Sequence, residues 1–289
     1  MKKYILILFL LITVFTACSL GDEESTLDIT SSESIPSVTT SGSVPIQTSA
    51  LMIEEDPYLF QSGELSKEKD GVTYMLKYPL GDTEPKEKDL IGFSSELSTV
   101  HIVRQFTGTK IKRVYFKKVD IPNTTVLSFA EGIKVLNTNA GIINAGSLEE
   151  IHLPASLDNI YFDDLPFPFP SLRAIHVAES SSSQVVSFRS HNGILYQRNQ
   201  LVCVPQNHQT ESGELVILES THQLNRVSIY HCRNLQKVVI PDSVTTIKRR
   251  AIVATAEHPL TVVCSRGSAA AAYVEKYGKL YHLTVEYTD

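Results

Sequence analysis

The feature that most constrains this chain is a stretch of sequence that comes back in register. Leu148-Glu-Glu-Ile151-His-Leu153-Pro154-Ala-Ser-Leu157-Asp-Asn-Ile160 recurs as Leu235-Gln-Lys-Val238-Val-Ile240-Pro241-Asp-Ser-Val244-Thr-Thr-Ile247. Leu172-Arg-Ala-Ile175-His-Val177 and Leu97-Ser-Thr-Val100-His-Ile102 repeat its first half, and Ile111-Lys-Arg-Val114-Tyr-Phe116 reads the same way. Leu127-Ser-Phe129-Ala-Glu-Gly-Ile133-Lys-Val-Leu136 repeats the second half. Phe129, Leu153 and Val177 recur at one constant interval, and Leu218, Ile240 and Val262 at another that is slightly shorter. Both intervals fall in the range of roughly 20–29 residues that marks leucine-rich repeats, units that stack on one another. The L-x-x-I-x-L core alternates apolar and polar residues with period two, so it predicts a strand with one buried face. The P-x-x-V-x-x-I that follows turns the chain and sends two more apolar groups inward. One such unit cannot cover its own apolar face, whereas stacked neighbours form a continuous core.

The fold expected is therefore an α/β-type leucine-rich-repeat solenoid, with a parallel concave sheet and irregular convex turns. His231-Cys232-Arg-Asn234-Leu235 through Pro241-Asp-Ser-Val244-Thr-Thr-Ile247 to Ala251-Ile252 resembles the BspA-like leucine-rich repeats of bacterial surface proteins. Phe188-Arg-Ser-His-Asn192-Gly193-Ile-Leu-Tyr196 through Pro205 looks like the hairpin insert of that family, residues 188–205, and accounts for the long interval from Val177 to Leu218. Ser265 to Gly278 resembles its terminal element. From the residues themselves it reads as a short helix with Ser268 as N-cap, four alanines and Gly278 as C-cap. The repeat domain is assigned to residues 97–289 with its C-terminal cap at 262–289, and residues 57–96 are read as an N-terminal cap.

Residues 1–18 read as an address. Met1-Lys2-Lys3 is positive, Tyr4 to Phe15 is an almost unbroken apolar run, and small residues precede Cys18. That run is shorter than the ~20 residues of a membrane span. Phe15-Thr16-Ala17-Cys18 resembles the lipobox of bacterial lipoproteins, which implies lipidation at Cys18 and anchoring to the cell membrane or envelope. From Ser19 to Ala50 the chain is dense in Ser and Thr and holds no aromatic side chain. Such a segment buries too little apolar surface to offset its ordering entropy, so residues 19–56 are expected to form a disordered acidic linker.

The formal charge of −6 locates there as well. Residues 19–56 hold eight acids and no Lys or Arg, whereas in residues 57–289 acids and bases balance. A neutral body without a dense basic stripe argues against nucleic-acid binding. No nucleophile elbow, H-E-x-x-H, P-loop or C-x-x-C occurs. Ser66-Lys-Glu-Lys69 sits among charges, and the adjacent carboxylates Glu149-Glu150 and Asp163-Asp164 point apart, so no enzyme and no cofactor are expected. Cys203, Cys232 and Cys264 lack metal-ligand spacing and read as buried thiols, with a disulfide between two of them as the alternative.

Binding is expected on the concave sheet. The residue between the two inward apolar groups gives His101, Tyr115, Ser128, His152, His176, Ser228 and Val239 down the stack. The residue before the first inward group adds Thr99, Arg113, Val126, Glu150, Ala174, Arg226 and Lys237. The ligand-binding set drawn from these is His101, Arg113, Tyr115, Glu150, His152, His176, Arg226 and Lys237. His152 and His176 should be neighbours about 4.8 Å apart across adjacent strands. A metal would need a third donor, none is evident, and no metal site is expected. The resemblance implies a surface-anchored binding lipoprotein whose ligand is a protein or glycan of host matrix or bacterial surface. A structural envelope component, or substrate capture for a partner enzyme or transporter, are the alternatives.

Overall fold

The computed structural model describes residues 62–79, 87–106, 108–139, 141–162, 167–179 and 187–288. Residues 1–18, read above as an address, residues 19–56 and the Asp163-Asp164 pair lie outside them. The described chain is a β-solenoid of mainly parallel strands with one helix near its C-terminal end. One sheet consists of four parallel strands in the order Ala174–Val177, Glu150–Leu153, Val126–Phe129, Thr99–Ile102. Val100, Leu127, Ile151 and Ile175 sit opposite one another and are fully buried, as the period-two reading requires. The interval from Leu127 to Ile151 equals that from Ile151 to Ile175, and the one from Val100 to Leu127 is slightly longer.

A second run of the same kind joins Glu214–Val216, Lys237–Val239, Leu260–Ser265 and Leu283–Thr288, all parallel. Leu215, Val238, Val262 and Val285 stand opposite one another at nearly constant intervals. This corrects the expected alignment of Leu218, Ile240 and Val262. Val262 is the partner of Val238, not of Ile240. Ile217, not Leu218, takes the place of Ile240, since its N–H donates to Val239 as that of Ile240 donates to Val263. Leu215 to Leu218 and Val262 to Cys264 each run through consecutive apolar residues, so alternation could not fix their register to the residue.

The remainder of each turn also pairs in parallel. Thr109–Asp120 joins Val135–Asn137, which joins Asn159–Tyr161. Further along, Gln223–Leu224 pairs with Thr246–Ile247 and Ile229–Tyr230 with Ile252–Val253. At the N-terminal end Ser62–Lys69 and Val72–Pro79 form an antiparallel hairpin. Glu87–Ser94 continues from it and runs parallel to Thr109–Asp120.

Phe188–His191, Ile194–Gln197 and Gln200–Cys203 are antiparallel. They divide the interior. Leu195, Val202 and Cys203 face the core built from Val72 to Ile175, while Ile194, Tyr196, Leu201 and Val204 face the core built from Leu215 to Leu283. Consecutive apolar residues in these strands thus serve two hydrophobic clusters, one on each side of the sheet.

The helix spans Ala269–Tyr281. Ser268 is its N-cap, accepting from the Ala271 N–H at 3.2 Å. The expected stop at Gly278 is corrected: the C-cap is His282, in the left-handed conformation, and its N–H donates to the Gly278 carbonyl. Gly278 lies inside the helix because a Cβ there would come within 2.9 Å of the Leu283 carbonyl oxygen. The residue permits close packing of the following strand rather than ending the helix.

Candidate functional site

On the solvent-facing side of this four-stranded sheet, side chains follow the strand registers. Thr99, Val126, Glu150 and Ala174 form one row, and His101, Ser128, His152 and His176 form the next. Within a strand, residues two apart share a face, so Glu150 and His152 lie side by side. His152 and His176 are a register pair, and their rings are 4.8 Å apart between centroids, tilted by 48°. Both side chains are nearly half exposed, at 47% and 45%, and Glu150 is 26% exposed.

Hydrogen bonds fix this surface. Ser128 Oγ donates to the Val100 carbonyl at 3.2 Å and lies 2.8 Å from His101 Nδ1. Arg173, just before the Ala174–Val177 strand, donates from Nη2 to Glu150 Oε1 at 2.9 Å and approaches Glu149 Oε2 from Nε at 3.2 Å. That leaves Glu150 Oε2 facing both imidazoles, 3.4 Å from His152 Nε2 and 3.9 Å from His176 Nε2. Beside these groups is a depression of about 400 Å³ lined by His101, Phe129, Glu131, His152, Pro154 and His176. Glu131 is held there by the N–H groups of Ala155 and Ser156, at 2.7 and 3.2 Å.

No protein-family model and no curated protein sequence matches the chain. Two solved structures are similar to it. One is a leucine-rich repeat protein from Eubacterium ventriosum, 14% identical, covering 71% of this chain and 67% of that one, with a TM-score of 0.35. The other is the pneumococcal vaccine antigen PcpA, 9% identical, covering 77% of this chain and 98% of that one, with a TM-score of 0.32. The fold assignment rests on the strand registers given above.

The expected contact set divides into groups. His101, Glu150, His152 and His176 come together on one face. Arg113 and Tyr115 do not join them: they lie on Thr109–Asp120, paired with Val135 and Asn137 in a different sheet. Arg113 is tied to Asp89 at 2.7 Å from its Nε. Both strands of a repeat alternate apolar and polar residues, so the pattern I-x-x-V-x-F fits either one. The interval from Val100 to Val114, only about half a repeat, is the signal that separates them. Arg226 also leaves the set. It occupies a turn between two short strands, beside Val227 at φ 54°. Ser228, expected on the strip, is fully buried and donates to the Ala251 carbonyl. Lys237 lies on the second parallel run, paired in register with Glu214 and Thr261. Its Nζ is 2.7 Å from Glu286 Oε2.

Sequence reasoning misses Arg173, Glu131 and the part Glu150 plays. Alternation puts Glu150 on the strip without making it a partner of the histidines, although the Glu-x-His spacing on a strand carries that information. A larger depression, about 680 Å³, lies near the hairpin between residues such as Tyr196, His208, Glu214 and Val216. Its lining also carries His191, Glu211 and Glu219. Among the described residues Cys203, Cys232 and Cys264 are free and buried. Burial pushes the thiols of Cys203 and Cys232 up, that of Cys232 to about 12, so both stay protonated and serve as core.

Proposed function

We propose that this chain is an exported, membrane-anchored binding protein of the BspA-like kind that holds a protein or glycan ligand on the His101–Ser128–His152–His176 face. The observation that carries this reading is the arrangement of that face. Three solvent-accessible imidazoles and Glu131 line one depression, with Ser128 and Glu150 beside it. The imidazoles, the serine and Glu150 stand on strands whose opposite face is locked into the core. Side chains so positioned meet a ligand with little further ordering cost. Imidazole rings add apolar area, and the carboxylates accept hydrogen bonds from amides or hydroxyls. These are properties suited to recognition, and binding is the reading they support.

The anchor in this proposal is Cys18, and display at the cell surface, with adhesion to host matrix or to other bacteria as its role, follows from the resemblance of the repeats and of Phe15 to Cys18. The test is capture of immobilised matrix proteins and glycans by the full chain displayed on cells. Changing His101, His152 and His176 together to Ala should reduce capture by about 10-fold or more if the face is the contact. Unchanged capture by that variant removes the face from the reading. Loss of acyl labelling on Cys18→Ala supports the anchor, and continued labelling contradicts it.

A further inference from the structure

We propose that Glu150, His152 and His176 form a binding site for a divalent transition-metal ion, of which Zn2+ is the representative probe. This goes beyond the ligand-binding reading and stands on its own geometry. The strand register alone pairs the two histidines, and the structure brings Glu150 to them as the third donor. One donor atom from each residue lies within 4.8 Å of the other two. The carboxylate oxygen Oε2 is the common neighbour, at 3.4 Å from His152 Nε2 and 3.9 Å from His176 Nε2. Donors bound to a tetrahedral Zn2+ at about 2.0–2.1 Å stand about 3.4 Å from one another, so the cluster needs a contraction on the order of 1 Å. The outer ends of these side chains are solvent-accessible and can move that far by small rotations about χ angles. The strands beneath them need not move.

Three details favour a metal over a fortuitous ion pair. First, the donor set is two imidazoles and one carboxylate, which suits Zn2+ and neighbouring transition metals, whereas Ca2+ and Mg2+ take all-oxygen sets. Second, Arg173 binds Oε1 of Glu150 at 2.9 Å and thereby turns Oε2 toward the histidines, the part played by an outer-sphere partner at known metal sites. Third, both histidines come from adjacent strands in register, one repeat apart, with Ile151 and Ile175 beside them buried in the core, so the two rings are held together by the repeat itself. Three protein donors leave a tetrahedral position open toward the solvent side of the strip. There the ion would accept water or a group from whatever binds beside it. Arg173 places a positive charge next to the site and weakens it electrostatically, while Glu149 and Glu131 nearby act in the opposite sense.

The experiment is a Zn2+ titration by calorimetry on the full chain in detergent, purified without a polyhistidine tag, with Co2+ absorption as the second readout. One ion per chain is expected. His152→Ala, His176→Ala and Glu150→Gln should each weaken Zn2+ by about 10-fold or more, whereas His101→Ala, on the same strip but outside the triad, should leave it within about 2-fold. Bound Co2+ should give visible d–d bands without thiolate charge-transfer absorption, which keeps the test valid should a variant fold poorly. The proposal is overturned by absence of saturable binding up to about 1 mM Zn2+. It is also overturned by affinity that survives all three changes, by an equal loss in His101→Ala, or by a thiolate signature pointing to the buried cysteines.

Discussion

At the scale of single residues, His208 shows how a repeat protein places a titratable group. It is buried against the turn before the Ala174–Val177 strand, with Nδ1 donating to the Arg173 carbonyl at 3.2 Å. Burial lowers its pKa below 6.5, and the hydrogen bond only partly offsets this. The ring is therefore neutral in the folded chain while the unfolded chain takes up a proton as pH falls through about 6.5. Unfolding then binds a proton, so the contribution of His208 to stability is fully present above that pH and is lost as pH drops. The thermal midpoint of the wild type, relative to His208→Gln, should thus decrease between about pH 8 and about pH 5. A difference independent of pH would contradict the buried neutral ring. The residues legible from sequence at this scale are those whose neighbours alternate cleanly. His152 and His176 pair because Ile151 and Ile175 leave no other phase. Arg226 and Ser228 escape such placement, because Val227 takes a positive φ and the strand pattern breaks there.

At the scale of elements, the helix Ala269–Tyr281 has two tasks that its sequence only half reveals. Its alanines and Ser268 announce a helix. What they do not announce is that Tyr273 reaches back to the edge of the repeat array. Its hydroxyl donates to the Ile252 carbonyl at 3.1 Å and accepts from the Ile252 N–H at 3.2 Å, satisfying both backbone groups where the Ile229–Tyr230 and Ile252–Val253 pair ends. Burial pushes this phenol up to about 12, so it remains a donor throughout the physiological range. Tyr273→Phe should destabilise the protein by about 1–3 kcal/mol, because two buried backbone groups lose their partner. Chemical denaturation of the variant measures this, and an unchanged midpoint would show that the edge finds other partners. The hairpin Phe188–Gln197 gives the complementary lesson. Its position between repeats is readable from the interval between Val177 and Leu218. Its role as a wall with apolar residues on both faces lies in the runs Ile194-Leu195-Tyr196 and Leu201 to Val204, which periodicity assigns to no single side.

At the scale of the molecule, the period in the sequence and the stacking in space are one fact seen twice. Nearly constant strides along the chain carry Leu215, Val238, Val262 and Val285 into one file, and equal strides carry Leu127, Ile151 and Ile175 into another. Everything proposed for the histidine face depends on this register, since a slip of one residue would turn His152 and His176 inward. Alternation alone puts Tyr115 on the same strip, the structure puts it on another sheet, and cross-linking separates the two arrangements. In the chain carrying His152→Cys and His176→Cys, the paired positions are neighbours on adjacent parallel strands, about 4.8 Å apart and within reach of a disulfide. Mild oxidation followed by peptide mapping should find that bridge in most molecules. Tyr115→Cys with His152→Cys should give none. Absence of the first bridge, or formation of the second, would contradict the stacked register and the site built on it.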